Sequence, residues 1–239
     1  PVLSCLLFQT NKDNTVTIKS TNLDIGLEVS IPAKVNEQGT VAIPSSVLSS
    51  FISNIPYSDK PIKMEVKDGN VNISNSKTSG IIKSQSPDDF PSIPRVSSDN
   101  VFNIDSIDFV KGLKSVWYSS SVSSIKPELS SVYIYCDGEY VVFVATDSFR
   151  LAEKKVRIKK SKDFEQILIP HKNIPDIINV LDKINGEVEV TLDKNQVSFS
   201  YKDIFLVSRV VDGVFPDYRQ IIPKQYTTEI TVLKQDFVN

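Results

Sequence analysis

Apolar residues along the chain keep two rhythms. Short alternating runs at 15–19, 132–135 and 204–207, set off by Asn, Asp and Gly, predict half-buried β-strands. Two other stretches follow the i, i+3, i+4, i+7 spacing of a single helix face: Leu48, Phe51, Ile52 and Ile55, then Ile174, Ile177, Ile178 and Leu181. A third stripe of Phe109, Val110, Leu113, Val116 and Trp117 predicts another helix, with Lys111, Lys114 and Tyr118 turned the other way. Strands dominate by number, and the helical stripes need a sheet to face. The pattern therefore predicts an α+β protein.

The two helical stripes at 48–55 and 174–181 are the same stripe, displaced by 126 residues. Other features keep that register. Pro1, Leu3 and Ser4 return as Pro127, Leu129 and Ser130, and Ile43 and Pro44 return as Ile169 and Pro170. The alternating runs 62–66 and 70–74 return at 188–192 and 196–200, while Phe90 and Pro91 return one residue short, as Phe215 and Pro216. A period of this length marks a tandem of whole structural units rather than a solenoid. Each complete unit is expected to hold two helices. The second copy opens near Val101, so the first copy, starting at the equivalent of Pro127, is expected to lack its opening strand and first helix. Residues 229–238 line up with 101–110 as the opening of a third copy. The expected division is 1–98, 99–226 and 227–239.

Composition narrows the function classes. The 239 residues include 27 Lys plus Arg and 29 Asp plus Glu, a net charge of −2, so binding to nucleic acid through overall positive charge is excluded and any such contact must be local. Cys5 and Cys136 are far apart and have no metal-ligand or redox spacing, which suits a reduced cytoplasmic chain. No apolar run reaches the ~18 residues of a membrane span, and no signal peptide is expected.

Four segments carry a family resemblance: Thr21 to Gly26 after a strand, Asp88-Asp89-Phe90-Pro91, Val144 to Ala152 (VATDSFRLA), and Val211 to Arg219 (VDGVFPDYR). In that order and at that repeat length the chain resembles the bacterial DNA polymerase III β subunits, the sliding clamps. The resemblance implies tandem DNA-clamp domains, each with two helices packed on antiparallel β-sheets, in a chain that pairs with a second copy as a homodimer ring around double-stranded DNA. It further implies tethering of the DNA polymerase III catalytic subunit, opening by a separate ATP-driven clamp loader, docking of other proteins with clamp-binding motifs, and neither catalysis nor a cofactor.

Two sets of residues follow from the resemblance. Lys111 and Lys114 on one helix and His171 and Lys172 at the start of the next are expected to face DNA; the matching helix of the first copy offers only Ser49, Ser50 and Ser53. A hydrophobic pocket for a short linear peptide is implied around Leu129, Thr146, Ser148, Phe149, Arg150, Leu151, Pro216, Gln220 and Ile221. Leu129, Leu151, Pro216 and Ile221 would form its apolar wall, and Thr146 and Arg150 its hydrogen bonds. The family often carries Gly and then His or Tyr where Ser148 and Phe149 stand, and Arg where Gln220 stands. Read from periodicity alone, Leu129 and Leu151 are strand core and Pro216 is a turn residue.

Enzymatic readings find little support. His171 is the sole histidine, no GxSxG, HExxH or P-loop motif occurs, Asp88 and Asp89 suit a turn, and Cys136 suits a strand end. A β-rich repeat module for interaction or adhesion is the alternative compatible with the Ser, Thr and Asn content. A hydrolase or nuclease on a β scaffold would need a carboxylate or His cluster that the sequence does not assemble.

Overall fold

The computed structural model describes residues 2–56, 61–158 and 164–238. After a 3-10 turn at Val2–Ser4 the first half contains β1 (Cys5–Thr10), β2 (Thr15–Thr21), β3 (Ile25–Pro32), β4 (Thr40–Pro44), α1 (Ser45–Ser53), β5 (Lys63–Lys67), β6 (Asn70–Ser74) and β7 (Ser79–Lys83). The second half contains β8 (Val101–Asp105), α2 (Ser106–Val116), β9 (Ser131–Asp137), β10 (Tyr140–Thr146), β11 (Leu151–Arg157), β12 (Ile167–Pro170), α3 (Ile174–Leu181), β13 (Glu187–Leu192), β14 (Gln196–Tyr201) and β15 (Ile204–Arg209). A 3-10 turn at Tyr218–Ile221 and the short α4 (Lys234–Val238) follow.

The repeat survives strand by strand. In the second half β11-β10-β9-β12 form one antiparallel sheet, and β3-β2-β1-β4 keep that order in the first. The hairpin β13-β14-β15 corresponds to β5-β6-β7, with β8 added on the outer side of β13. β3 then pairs with β15, Ile204 opposite Val29 through Ser208 opposite Ile25. This joins the halves into one eight-stranded sheet, β4-β1-β2-β3-β15-β14-β13-β8.

The core of the second half lies between its two sheets, with α2 and α3 closing the gap. Phe109 on α2 stands edge-on to Phe143 of one sheet and to Phe199 of the other, each ring centre 5.2 Å away. Phe109, Leu113 and Val116 are buried, as the spacing predicts, and truncating such a residue to Ala costs about 2–5 kcal/mol. The Asp105 side chain caps α2 by accepting from the Ile107 N–H at 3.0 Å. β10 is buried from Val141 to Thr146 because both of its faces are covered, one by the helices and one by the segment 211–221.

The first half departs from the predicted stripe. Ile52 is 42% exposed, whereas its counterpart Ile178 is 8% exposed. Met64 and Val66 are likewise open to solvent, while their counterparts Val190 and Leu192 are sealed. The cause is the missing layer: α2 and β8 cover these positions in the second half, and no described element covers them in the first. Only Leu48 of α1 is fully buried, with Phe51 packed beside it. Residues 229–233 form no strand, and α4 is exposed along its length.

Candidate functional site

The turn between β10 and β11 holds three of the nine residues expected in a peptide pocket, Ser148, Phe149 and Arg150, with Thr146 and Leu151 at its two ends. The Thr146 hydroxyl accepts from the Ser148 N–H at 3.1 Å and donates to the Arg150 carbonyl at 2.7 Å. Asp147 Oδ1 accepts from the N–H groups of Phe149 and Arg150, both at 3.0 Å, and Oδ2 pairs with the Arg150 guanidinium at 3.0 Å. These backbone hydrogen bonds, followed by the charge of Arg150, hold the Asp147 carboxyl below its ordinary value of 3.8. Ser148 takes the left-handed φ of 78°. Thr146 and Arg150 are thus engaged within the turn itself, and the tip pushes Phe149 into solvent at 98% exposure.

The first half repeats this turn. Thr21 binds the Ile25 carbonyl and the Leu23 N–H, Asn22 Oδ1 accepts from Asp24 and Ile25, and Leu23 sits at φ 76°. There the turn is occupied by the other half: the Asp24 carbonyl accepts from Arg209 N–H at 2.8 Å, and its carboxylate holds Lys172 at 2.7 Å.

Beside the β10–β11 turn, the segment 211–221 lies across the outer face of the sheet. Phe215 stacks on Tyr133 with centres 4.8 Å apart, and Tyr218 is buried with Val142, Val144 and Leu168. Leu151 packs half-buried against this cluster, while Pro216, Gln220 and Ile221 stay on the surface. Gln220 donates to Asp217 at 2.8 Å. Leu129 is buried in the turn just before β9, outside the strand that periodicity assigns it to. Exposed apolar residues thus lie at the tip of the turn, as Phe149, and along the strap as a ridge of Pro216, Ile221 and Ile222. A groove of about 870 Å³ lies elsewhere along the strap, lined by Tyr133, Tyr135, Gln166, Asp193, Lys194 and Asp212 among others.

Sequence reasoning missed the polar network under this strap. Tyr218 donates to a Glu153 carboxylate oxygen, Tyr135 and Tyr218 hydroxyls meet at 2.8 Å, and Arg219 donates to Tyr135 at 2.7 Å. Burial, then the bond to Glu153, raises the Tyr218 hydroxyl well above its ordinary value of 10.0. The one sequence signal was a carboxylate at an outward-facing strand position opposite a conspicuously aromatic segment.

The four residues expected to face DNA divide in two. Lys111 and Lys114 lie on the solvent side of α2, where Lys114 pairs with Asp182 at 3.0 Å. Lys172 and His171 lie instead in the 3-10 turn before α3 (His171–Asn173), and Lys172 reaches Asp24 across the seam. His171 packs against Trp117, and its Nδ1 lies 2.7 Å from the Ser120 hydroxyl. Ser120 gives its own proton to the Trp117 carbonyl, so Nδ1 is the donor. Asp88 and Asp89 form a turn, with Phe90 N–H on the Pro87 carbonyl, and Cys136 lies in β9. Among the described residues no three His, Cys, Asp or Glu side chains converge as a metal site requires, and no helix is long and apolar enough to cross a membrane.

Comparison with known proteins places this architecture. Residues 1–94 match the N-terminal domain of the DNA polymerase III beta subunit, and residues 103–217 match its central domain. The beta sliding clamp of Halalkalibacterium halodurans is 25% identical over 235 residues, covering 93% of this chain and 61% of the relative. That of Synechococcus elongatus is 24% identical over 237 residues, covering 97% and 63%. Among solved structures, the DNA polymerase III beta subunit of Thermotoga maritima has a TM-score of 0.86 at 26% identity, covering 95% of this chain and 61% of that one. The Pseudomonas aeruginosa subunit gives 0.87 at 22%, covering 94% and 62%. The chain spans slightly more than three-fifths of the length of these proteins. With both halves matched in order and the fold reproduced across them, the chain belongs to the bacterial DNA polymerase III β subunits, the β sliding clamps.

Proposed function

We propose that the protein encircles duplex DNA as a homodimer ring and tethers the DNA polymerase III catalytic subunit for processive synthesis in the cytoplasm, with no catalysis of its own. One observation carries the reading: a single α+β unit occurs twice, and the copies join edge to edge through β3 and β15. A head-to-tail edge contact that repeats makes a ring when its rotation closes, and the ring reading requires that closure. In this reading 1–98 and 99–226 are two clamp domains and 227–239 opens a third. A ring holds DNA topologically, so its lining needs only weak contact with phosphate.

The surface of α2, α3 and the residues that end α3 suits that role. It presents Lys111, Lys114 and Lys183 together with Asp108, Asp176 and Asp182, a balanced set that would not grip the backbone. Partners, including the clamp loader and other proteins with clamp-binding motifs, dock on the apolar ridge beside Leu151 and Pro216, where Leu129, Ser148, Phe149, Gln220 and Ile221 complete the neighbourhood. The test is primer extension on a long template: adding the protein and its loader should lengthen the products of a single binding event at least tenfold. Leu151→Ala or Pro216→Ala should reduce that gain, while products of unchanged length with the unaltered protein would remove the proposal.

A further inference from the structure

The ladders place Glu28 on β3 and Glu153 on β11 at the same site of the repeat. Glu28 stands opposite Lys19 and Glu153 opposite Val144, each two residues beyond the pair that closes the turn, Thr21 with Gly26 and Thr146 with Leu151. In each half this carboxylate binds the chain that follows that half. Glu28 receives the Arg95 guanidinium, which also lies 3.9 Å over the Phe205 ring, and Glu153 receives the Tyr218 hydroxyl. The second case extends into a relay. The single proton of Tyr218 goes to Glu153, so Tyr135 donates to Tyr218 and Arg219 donates to Tyr135. Arg219 and Lys155 both reach Asp137, at 3.5 and 3.3 Å, which ties the relay to the end of β9.

None of these groups belongs to the apolar ridge, yet they bracket it. Phe215 and Tyr218 are buried on either side of exposed Pro216, and Gln220 and Ile221 continue the 3-10 turn that Tyr218 begins. We infer that Glu153, acting through Tyr218 and Tyr135, is a positioning residue for partner docking: it fixes the height and rotation of the Pro216–Ile221 ridge over β11 next to Leu151. This rests on the docking reading above. A preset ridge spares a bound peptide the ordering of its own site, which favours affinity.

The experiment titrates the protein with a fluorescein-labelled peptide carrying the clamp-binding segment of the polymerase catalytic subunit, followed by anisotropy. Hydrogen exchange at amides 217–222 is measured in parallel. Glu153→Ala and Tyr218→Phe should each weaken binding five- to tenfold and speed exchange in the strap. Glu153→Gln, whose amide oxygen still accepts from Tyr218, should stay within twofold on both counts. Leu151→Ala reports the docking site itself. If Leu151→Ala weakens binding while Glu153→Ala and Tyr218→Phe do not, or if Glu153→Gln is as weak as Glu153→Ala, the positioning role is overturned and the docking site stands. If Leu151→Ala, Pro216→Ala and the relay variants all leave affinity unchanged, both are overturned.

Discussion

Ser148 is held at φ 78° with a side chain that gains nothing from the left-handed conformation. A non-glycine residue there costs roughly 1–2 kcal/mol, so Ser148→Gly should raise stability by about 0.5–1 kcal/mol in urea unfolding. The neighbouring Asp147 carboxyl has its pKa lowered by the Phe149 and Arg150 N–H groups, so the turn is stabilised above pH 3.8 and loses that contribution as pH falls through the depressed value. Amide chemical shifts of Phe149 and Arg150 should titrate below 3.8, and a midpoint at or above 3.8 would contradict the geometry. Tyr218 has the opposite sense: its raised value keeps the folded hydroxyl protonated while an unfolded one ionises near 10, so stability should fall as pH rises past 10. At this scale the sequence was legible for type and place but not for partners. Thr146 and Arg150 could be located near the ridge, yet only the backbone path shows that their polar atoms close their own turn. The Tyr218–Glu153 pair joins residues 65 apart, beyond what strand alternation can reveal.

Among the elements, α2 is packed closely on β10. Gly112 sits inside this helix, where alanine would ordinarily stabilise by about 1 kcal/mol, but a Cβ would lie 2.4 Å from the Phe143 ring. Gly112→Ala should therefore destabilise the protein by about 1–3 kcal/mol, as overpacking does, and a gain in stability would contradict the packing of α2 on β10. At the seam, Glu28 is nearly buried and bound by Lys19 at 3.5 Å as well as by Arg95. Arg95→Ala should cost about 1–2 kcal/mol by leaving this carboxylate under-satisfied, read as a lowered midpoint in urea. Helices α2 and α3 could be read from spacing because every apolar residue of their stripes finds a layer to enter. The stripe of α1 misleads at Ile52, since periodicity records which residues could be buried together and not whether an opposing layer is present. The same limit applies to 229–238, where the pattern of 101–110 recurs but 229–233 form no strand.

Over the whole molecule, the tandem repeat was the most informative feature of the sequence, because its 126-residue register survives in strand order and, one residue short, in the turn chemistry and in the carboxylates Glu28 and Glu153. The pairing of β3 with β15 could not be read that way: outward edges carry no distinctive pattern, and the contact depends on two turns meeting across the seam. Electrostatics act at this scale as well. With carboxylates balancing cations on the α2 and α3 surface, the proposed lining would neutralise few phosphates. Lys111→Ala should weaken binding to short duplexes about equally for all sequences and lower the salt slope by about 1. The central claim, that DNA is held by enclosure rather than by affinity, is tested most directly on circular DNA. Protein loaded onto a nicked circle should remain through gel filtration in high salt and leave when one restriction cut linearises the circle. Equal loss from circle and line in high salt, or retention on the cut DNA with free ends, would contradict it.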